Sequence, residues 1–215
     1  MSSESPVRQS ALPASRIRLL DAAQNVFRTR GYAATTVDDI CREAGLSKGS
    51  FFHHFESKEA LAVEAAAHWN AWTATLFADA PYHAASDPLD RVMGYIAFRA
   101  SLLDGTVPQV TCLLGTLVQE TYASHPAIRA ACDAALSAHI ATLTKDIAAA
   151  KRRHVPRASW RAESVGCFIQ AVLQGSFVFV KAKEDIAIAR QNLMHLRRYL
   201  EMLFHPRPTS TRTSA

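Results

Sequence analysis

This 215-residue chain has no run of 18 or more apolar residues, so no membrane-spanning helix is expected. Its opening, MSSESPVRQSALPASR, lacks the charged-then-apolar order of an export signal. Cysteine is scarce. Cys41, Cys112, Cys132 and Cys167 lie far apart and form no Cys-x-x-Cys pair, which favours reduced thiols in a cytoplasmic protein over a disulfide framework. The nine histidines include no pair spaced four apart, so no metal site is expected. The words that cradle phosphate (GxGxxG, GxxxxGK followed by Ser or Thr) are missing as well. No catalytic residue and no cofactor is therefore assigned, and the expected reading is not an enzyme.

Charge gives less guidance than its total suggests. The formal net charge is +5, yet residues 1–60 hold eight Lys/Arg against seven Asp/Glu. Any attraction of that segment to nucleic acid must come from local placement, since a few cationic side chains and helix N-termini suffice for phosphate contact.

What is present is a short, strongly patterned stretch, TTVDDICREAGLSKGSFFHHF, at residues 35–55. Val37, Ile40, Cys41 and Ala44 recur at i, i+3, i+4 and i+7, the stripe of one short amphipathic helix. Thr36 stands where it can cap that helix, and Gly45 can adopt the left-handed conformation that ends it. Ser47 offers the next cap after a break of only three residues, 45–47. Phe51 and Phe55, four apart, anchor a second helix, leaving Lys48, Gly49, Ser50, His53 and His54 for its outer face. Two short helices across a tight turn, with a polar outer face on the second, form a helix-turn-helix suited to the DNA major groove. A preceding helix over residues 15–30, with Ile17, Leu20, Ala23 and Phe27 in register, completes a three-helix head. Adjacent positions on a helix point about 100 degrees apart, so His53 and His54 cannot share one acid–base site.

The words GYAATTVDDICREA and GLSKGSFFHHFESKEAL resemble the DNA-binding segment of the tetracycline-repressor (TetR) family, over residues 15–65. Phe52 departs from that pattern: the family usually carries Tyr there, so a hydroxyl contact is lost while contact with a thymine methyl remains open. Residues assigned to the DNA face are Arg16, Thr35, Thr36, Ser47, Lys48, Gly49, Ser50, Phe52, His53, His54 and Lys58. Two of these carry alternatives. Arg16, with Arg8, belongs either to a basic arm reaching phosphates or to a segment without a role, and Lys58 reads equally as a phosphate ligand or a solvated lysine.

The rest of the chain reads as helices, giving an all-α fold of about nine helices: an N-terminal three-helix domain plus a larger helical body. The expected organisation is a disordered arm (1–13), the DNA-binding domain (14–56), an effector-binding and dimerisation domain (57–204) and a disordered tail (205–215). Within the body, helices are expected over residues 57–78, 87–104, 110–123, 126–153, 158–181 and 185–204. Ser57 and Asp87 serve as caps, and Pro88 takes the first helical position. The KRRH run at residues 151–154 suits the negative end of a helix dipole better than a second nucleic-acid patch. Trp69 and Trp72 read foremost as core.

The last two helices are apolar on more than one face, and a symmetric dimer built as a four-helix bundle would bury the excess. The resemblance implies the same interface, assigned here to Phe168, Val172, Gly175, Leu193, Leu196 and Leu200. It also implies a small-molecule effector between the middle helices, with Trp72, Phe98, Cys112, Thr116, Gln119 and Gln174 as candidates. TCLLGTLVQE resembles a Gly-Cys-Leu-Leu-Gly word of a TetR subset, some of whose members respond to electrophiles through a cysteine; Thr111 replaces the Gly here. An inert buried thiol is the favoured state of Cys112, and a position bordering the effector site is its expected role. The function implied is a ligand-responsive regulator, usually a repressor, whose homodimer reads a palindromic double-stranded DNA operator. The alternative is an all-helical carrier or enzyme with an incidental helix-turn-helix.

Overall fold

At Thr36, Ser47, Ser57 and Asp87 the start of a helix is set by a side chain that holds an otherwise unpaired backbone N–H. Thr36 Oγ1 accepts from Asp39 N at 3.2 Å while Asp39 Oδ2 accepts from Thr36 N at 3.0 Å, a reciprocal capping box. Ser47 Oγ accepts from Ser50 N at 3.2 Å, Ser57 Oγ from Ala60 N at 3.0 Å, and Asp87 Oδ1 from Leu89 N at 2.8 Å. Gly45, at φ 61° and ψ 40°, supplies the left-handed residue between the second and third helices.

The computed structural model describes residues 12–204. The expected tail and most of the expected arm, Arg8 included, lie outside the described residues. Within them the chain forms α1 (Ala14–Arg30), α2 (Val37–Ala44), α3 (Lys48–His54), α4 (Lys58–Ala78), a 3-10 turn at Pro81–Ala84, and α5 (Pro88–Ser101). Then follow α6 (Val107–Val110), α7 (Leu113–Thr121), α8 (Pro126–His154), α9 (Ala162–Lys183) and α10 (Ala187–Phe204). Among the described residues there are ten α-helices and no strand.

The tenth helix comes from a break within residues 110–123, expected as one helix. Thr106 and Gln109 form a second capping box that starts a one-turn helix early, and Thr111 and Cys112 are then extended, at ψ 156° and 128°. Cys112 is consequently the residue before α7, with its backbone outside the helix.

Packing follows two clusters. The first joins Phe27 of α1, Ile40 of α2, Phe51 and Phe55 around α3, and Leu61 and Ala65 of α4 to Leu113, Leu117 and Ile128 in the body. The second gathers α5, α8, α9 and α10 around Tyr95, Ile147, Ile169, Leu196 and Leu200. Cys112 packs against both. Gly166 lets α8 and α9 close up, because a Cβ there would lie 2.8 Å from Thr144 Oγ1. The apolarity of α9, with a mean hydropathy of 1.5 over its richest 18 residues, reflects a helix packed between α8 and α10 whose outer face is apolar too.

α10 corrects the expected interface. Leu193, Leu196 and Leu200 are at most 2% exposed, buried within their own chain against α9 and α5. A residue with no surface left in the monomer cannot seal a dimer. The apolar residues left exposed on the two helices are Phe168, Val178 and Phe179 of α9, and Met194, Tyr199 and Met202 of α10. Both stripes were visible in the sequence, but phase alone does not say which one faces inward. Val172 is half-buried, and a Cβ at Gly175 would meet nothing within 4 Å beyond its own stretch of helix among the described residues.

The head cap is sensitive to pH. Hydrogen bonds from the Thr36 hydroxyl and backbone N–H, then from Arg42, hold the Asp39 carboxyl well below the usual carboxylate range. A folded-state value below the unfolded one, about 3.9, contributes stability that is present above that pH and lost as the pH falls through the folded value. Asp39→Ala is therefore expected to lower the thermal midpoint at pH 7, with the gap to the unsubstituted protein narrowing below about pH 4. A gap unchanged between pH 7 and pH 3 in thermal melts would refute this.

Candidate nucleic-acid interface and effector cavity

The surface of α3 is prepared from beneath. Phe51 and Phe55 are almost fully buried, with ring centroids 5.8 Å apart, and fix which side of this seven-residue helix faces out. Lys48, Gly49, Phe52 and His53 are exposed on that side, and Ser50 is half-buried. Phe52 leaves 57% of its surface open and meets Phe51 edge-on at 5.1 Å. An exposed phenyl ring held by a buried one is a rigid apolar probe, suited to contact with a base methyl group. Thr36 and Ser47 are exposed beside it as caps. Lys48 Nζ sits 2.9 Å from Asp38 Oδ1, an exposed pair of little intrinsic stability that an incoming phosphate can replace.

Four residues assigned to this face turn their side chains inward instead. Arg16 donates to the His54 carbonyl at 2.8 Å, pairs with Glu64, and lies 4.6 Å over the Phe55 ring. Thr35 is 1% exposed and donates to the Gly31 carbonyl at 2.6 Å. His54 Nε2 is 2.7 Å from Ser15 Oγ, and partial burial, then the neighbouring His53 and Arg16, lowers its pKa, so it is a neutral tie between α1 and α3. Lys58 Nζ donates to the Tyr32 and Thr35 carbonyls at 2.9 and 2.8 Å and lies 4.2 Å from the Tyr32 ring centroid. Neither reading of Lys58 as phosphate ligand or solvated lysine describes this side chain: it staples the α1–α2 loop to α4. Burial lowers its pKa, with Glu120 opposing.

A cavity of about 150 Å³ opens in the body between α4, α5, α7, α8 and α9. Trp72, Cys112 and Gln174, three of the expected effector residues, line it. A second cavity of about 190 Å³ shares Cys112 and Gln174 and adds Thr116 and Gln119. Phe98 borders neither; it stands behind the first, edge-on to Phe77 at 5.5 Å. Sequence reasoning missed Trp69, Phe77, Arg99, His139 and Gln170 in the first wall. The only signal for them was polar residues interrupting apolar stripes, as Gln170 and Gln174 do in α9.

The polar part of the first wall is a short network. Arg99 Nε donates to Tyr95 Oη at 3.0 Å, and Tyr95 Oη lies 2.9 Å from His139 Nε2. Burial first, then the Arg99 charge, pulls His139 down to about 3, so its ring is neutral and Nε2 accepts from the Tyr95 hydroxyl. Cys112 is half-buried, and Arg28 and Lys181 are its cationic neighbours, which spacing alone could not place. Burial lowers the pKa of both.

Polar ties connect this region to the head. Glu120, on the second cavity's wall, accepts from Ala33 N at 2.9 Å in the α1–α2 loop. Arg28 of α1 lies 4.9 Å over the Trp69 ring, and its guanidinium donates to the Gln109 carbonyl at 3.4 Å.

Known proteins place this architecture. Residues 19–65 match the family described as bacterial regulatory proteins, tetR family, and residues 88–191 match the C-terminal domain described as transcriptional regulator LmrA/YxaF-like. The uncharacterized HTH-type transcriptional regulator YxaF of Bacillus subtilis (strain 168) is 27% identical over 172 residues, covering 80% of this chain and 87% of that one. The HTH-type transcriptional repressor DhaR of Mycobacterium sp. (strain GP1) is 32% identical over 115 residues, or 54% of this chain and 52% of DhaR. In fold, the regulatory protein TetR from Rhodobacter sphaeroides superposes with a TM-score of 0.77 at 20% identity, over 87% of this chain and 99% of that one. With a reading helix, a helical body and both matched segments in the same order, the chain belongs to the TetR family of transcriptional regulators.

Proposed function

We propose that this chain acts in the cytoplasm as a homodimeric repressor that leaves a palindromic operator when a small molecule occupies the body. The observation that carries the reading is α3, whose buried Phe51 and Phe55 aim Lys48, Gly49, Phe52 and His53 outward. One such helix contacts few base pairs. Two heads held about one DNA turn apart, ~34–36 Å, read both halves of a palindrome and gain affinity together. DhaR, a relative that is a repressor, supports the sign of regulation.

The exposed apolar stripe of α9 and α10 supports the pairing. The Phe168 and Tyr199 rings meet at a tilt with centroids 5.0 Å apart, and Phe179 and Met194 are more than half exposed. A contiguous apolar face of this kind marks an interaction surface. Coupling rests on a simple condition: a ligand shifts the heads only if it binds one head spacing better than another. α4 links the cavity to the head by carrying Trp69 and Trp72 at one end and the Lys58 staple at the other. Gln109 and Glu120 add direct contacts to α1 and its loop.

Mobility shifts and footprints on the chain's own upstream DNA test the reading. Lys48→Ala is expected to weaken binding to all sequences and reduce the salt slope by about one per head. His53→Ala is expected to change sequence preference at one position in each half-site, by about 1–3 kcal/mol. Equal, uniform losses for both variants would remove that division. Phe179→Glu should give monomers in sedimentation at micromolar concentration and abolish the footprint. Leu196→Ala should instead lower unfolding free energy by about 2–5 kcal/mol in urea titrations, as a core truncation does.

A further inference from the structure

The charge in the first cavity is one-sided. Its lining includes no Asp or Glu, and Arg99 is its formally charged residue among the described ones. Arg91, two turns earlier on the same helix, pairs with Asp146 at 2.8 Å. Arg99 has no carboxylate within 4 Å among the described residues; its hydrogen bonds go to the uncharged Tyr95 and to neutral His139, the latter at 3.5 Å. A partly buried guanidinium facing a cavity without a counter-charge loses hydration that only an anion replaces well. Its planar fork matches a carboxylate with two parallel N–H···O bonds.

Gln170 adds an independent requirement. It is 5% exposed and lines the same cavity, and its Oε1 has no hydrogen-bond partner among the described residues. Buried acceptors are nearly always satisfied, so this oxygen calls for a donor, such as a hydroxyl or an amine, on whatever fills the space. The remaining wall is ring-shaped and apolar, with Trp69, Trp72 and Phe77. A volume of about 150 Å³ equals that of an engineered cavity known to take benzene, so it admits one aromatic ring.

From these features we infer that the effector is a small aromatic carboxylate carrying a hydrogen-bond donor, its acid group received by Arg99 and its donor by Gln170 Oε1. The inference rests on the effector-cavity reading above and adds the chemical class. Neutral Tyr95 and His139 hold the guanidinium in place without neutralising it, so these two are positioning residues.

Calorimetric titration of the full chain, with tryptophan emission followed in parallel, tests this with four probes: benzoate, 4-hydroxybenzoate, its methyl ester and tyramine. The acid is expected to bind at least about tenfold more tightly than its ester, the worth of one charge-assisted contact. Tyramine, a cation, is expected not to bind. Arg99→Gln should bring acid and ester level. Should that variant fold poorly, Arg99→Lys should keep the preference for the acid at lower affinity. Gln170→Leu should erase the advantage of 4-hydroxybenzoate over benzoate and keep that of acid over ester. If the ester binds as well as the acid, the acid-specific inference fails while the cavity reading stands. If no ring probe of any charge gives heat or quenching at millimolar concentration, both fall.

Discussion

Phe27, Phe51 and Leu61 share one packed cluster with Leu113, Leu117 and Ile128, so the reading helix has no hydrophobic core of its own. Close-packed interiors transmit displacement because they tolerate few voids. A tilt of α4 or a shift at the start of α7 must therefore be accommodated under α3. The extended residues Thr111 and Cys112 sit where this cluster meets the second one, and they also line both cavities. The cavity walls and the packing that continues beneath α3 thus meet at a two-residue break between α6 and α7.

The polar contacts divide the work with that core. Arg16, His54 and Lys58 lock α1, α3 and α4 into one unit, which makes the head rigid before DNA arrives. Glu120 and Arg28 tie the unit to the body at two points. Glu120 packs so closely on Gly31 that a Cβ there would lie 2.3 Å from its carboxylate, and the positive φ of Gly31 also excludes most other residues.

Much of this was legible in the chain. Caps at Thr36, Ser47, Ser57 and Asp87 announced the helices they start, because the chemistry of a cap is local. The Thr106–Gln109 capping box carried the same kind of signal, and reading it would have separated α6 from α7. Two things were not legible. Helical phase showed two apolar stripes on α10 but not which one met α9, so Leu193, Leu196 and Leu200 went to the wrong face. The inward turn of Arg16, His54 and Lys58 depends on carbonyls, a carboxylate and a hydroxyl 23–48 residues away, beyond any local pattern. The cavity wall was half visible: Trp72, Cys112 and Gln174 came from resemblance, whereas Arg99 and His139 meet only through tertiary packing.

Asp38 beside Lys48, and Asp39 between Arg30 and Arg42, place acid next to the cations that surround the reading surface. Random chromosomal DNA, which offers only phosphates, gains little from such a face. These pairs lower the net positive charge that the surface around α3 presents, which leaves more of any grip on DNA to contacts with base edges.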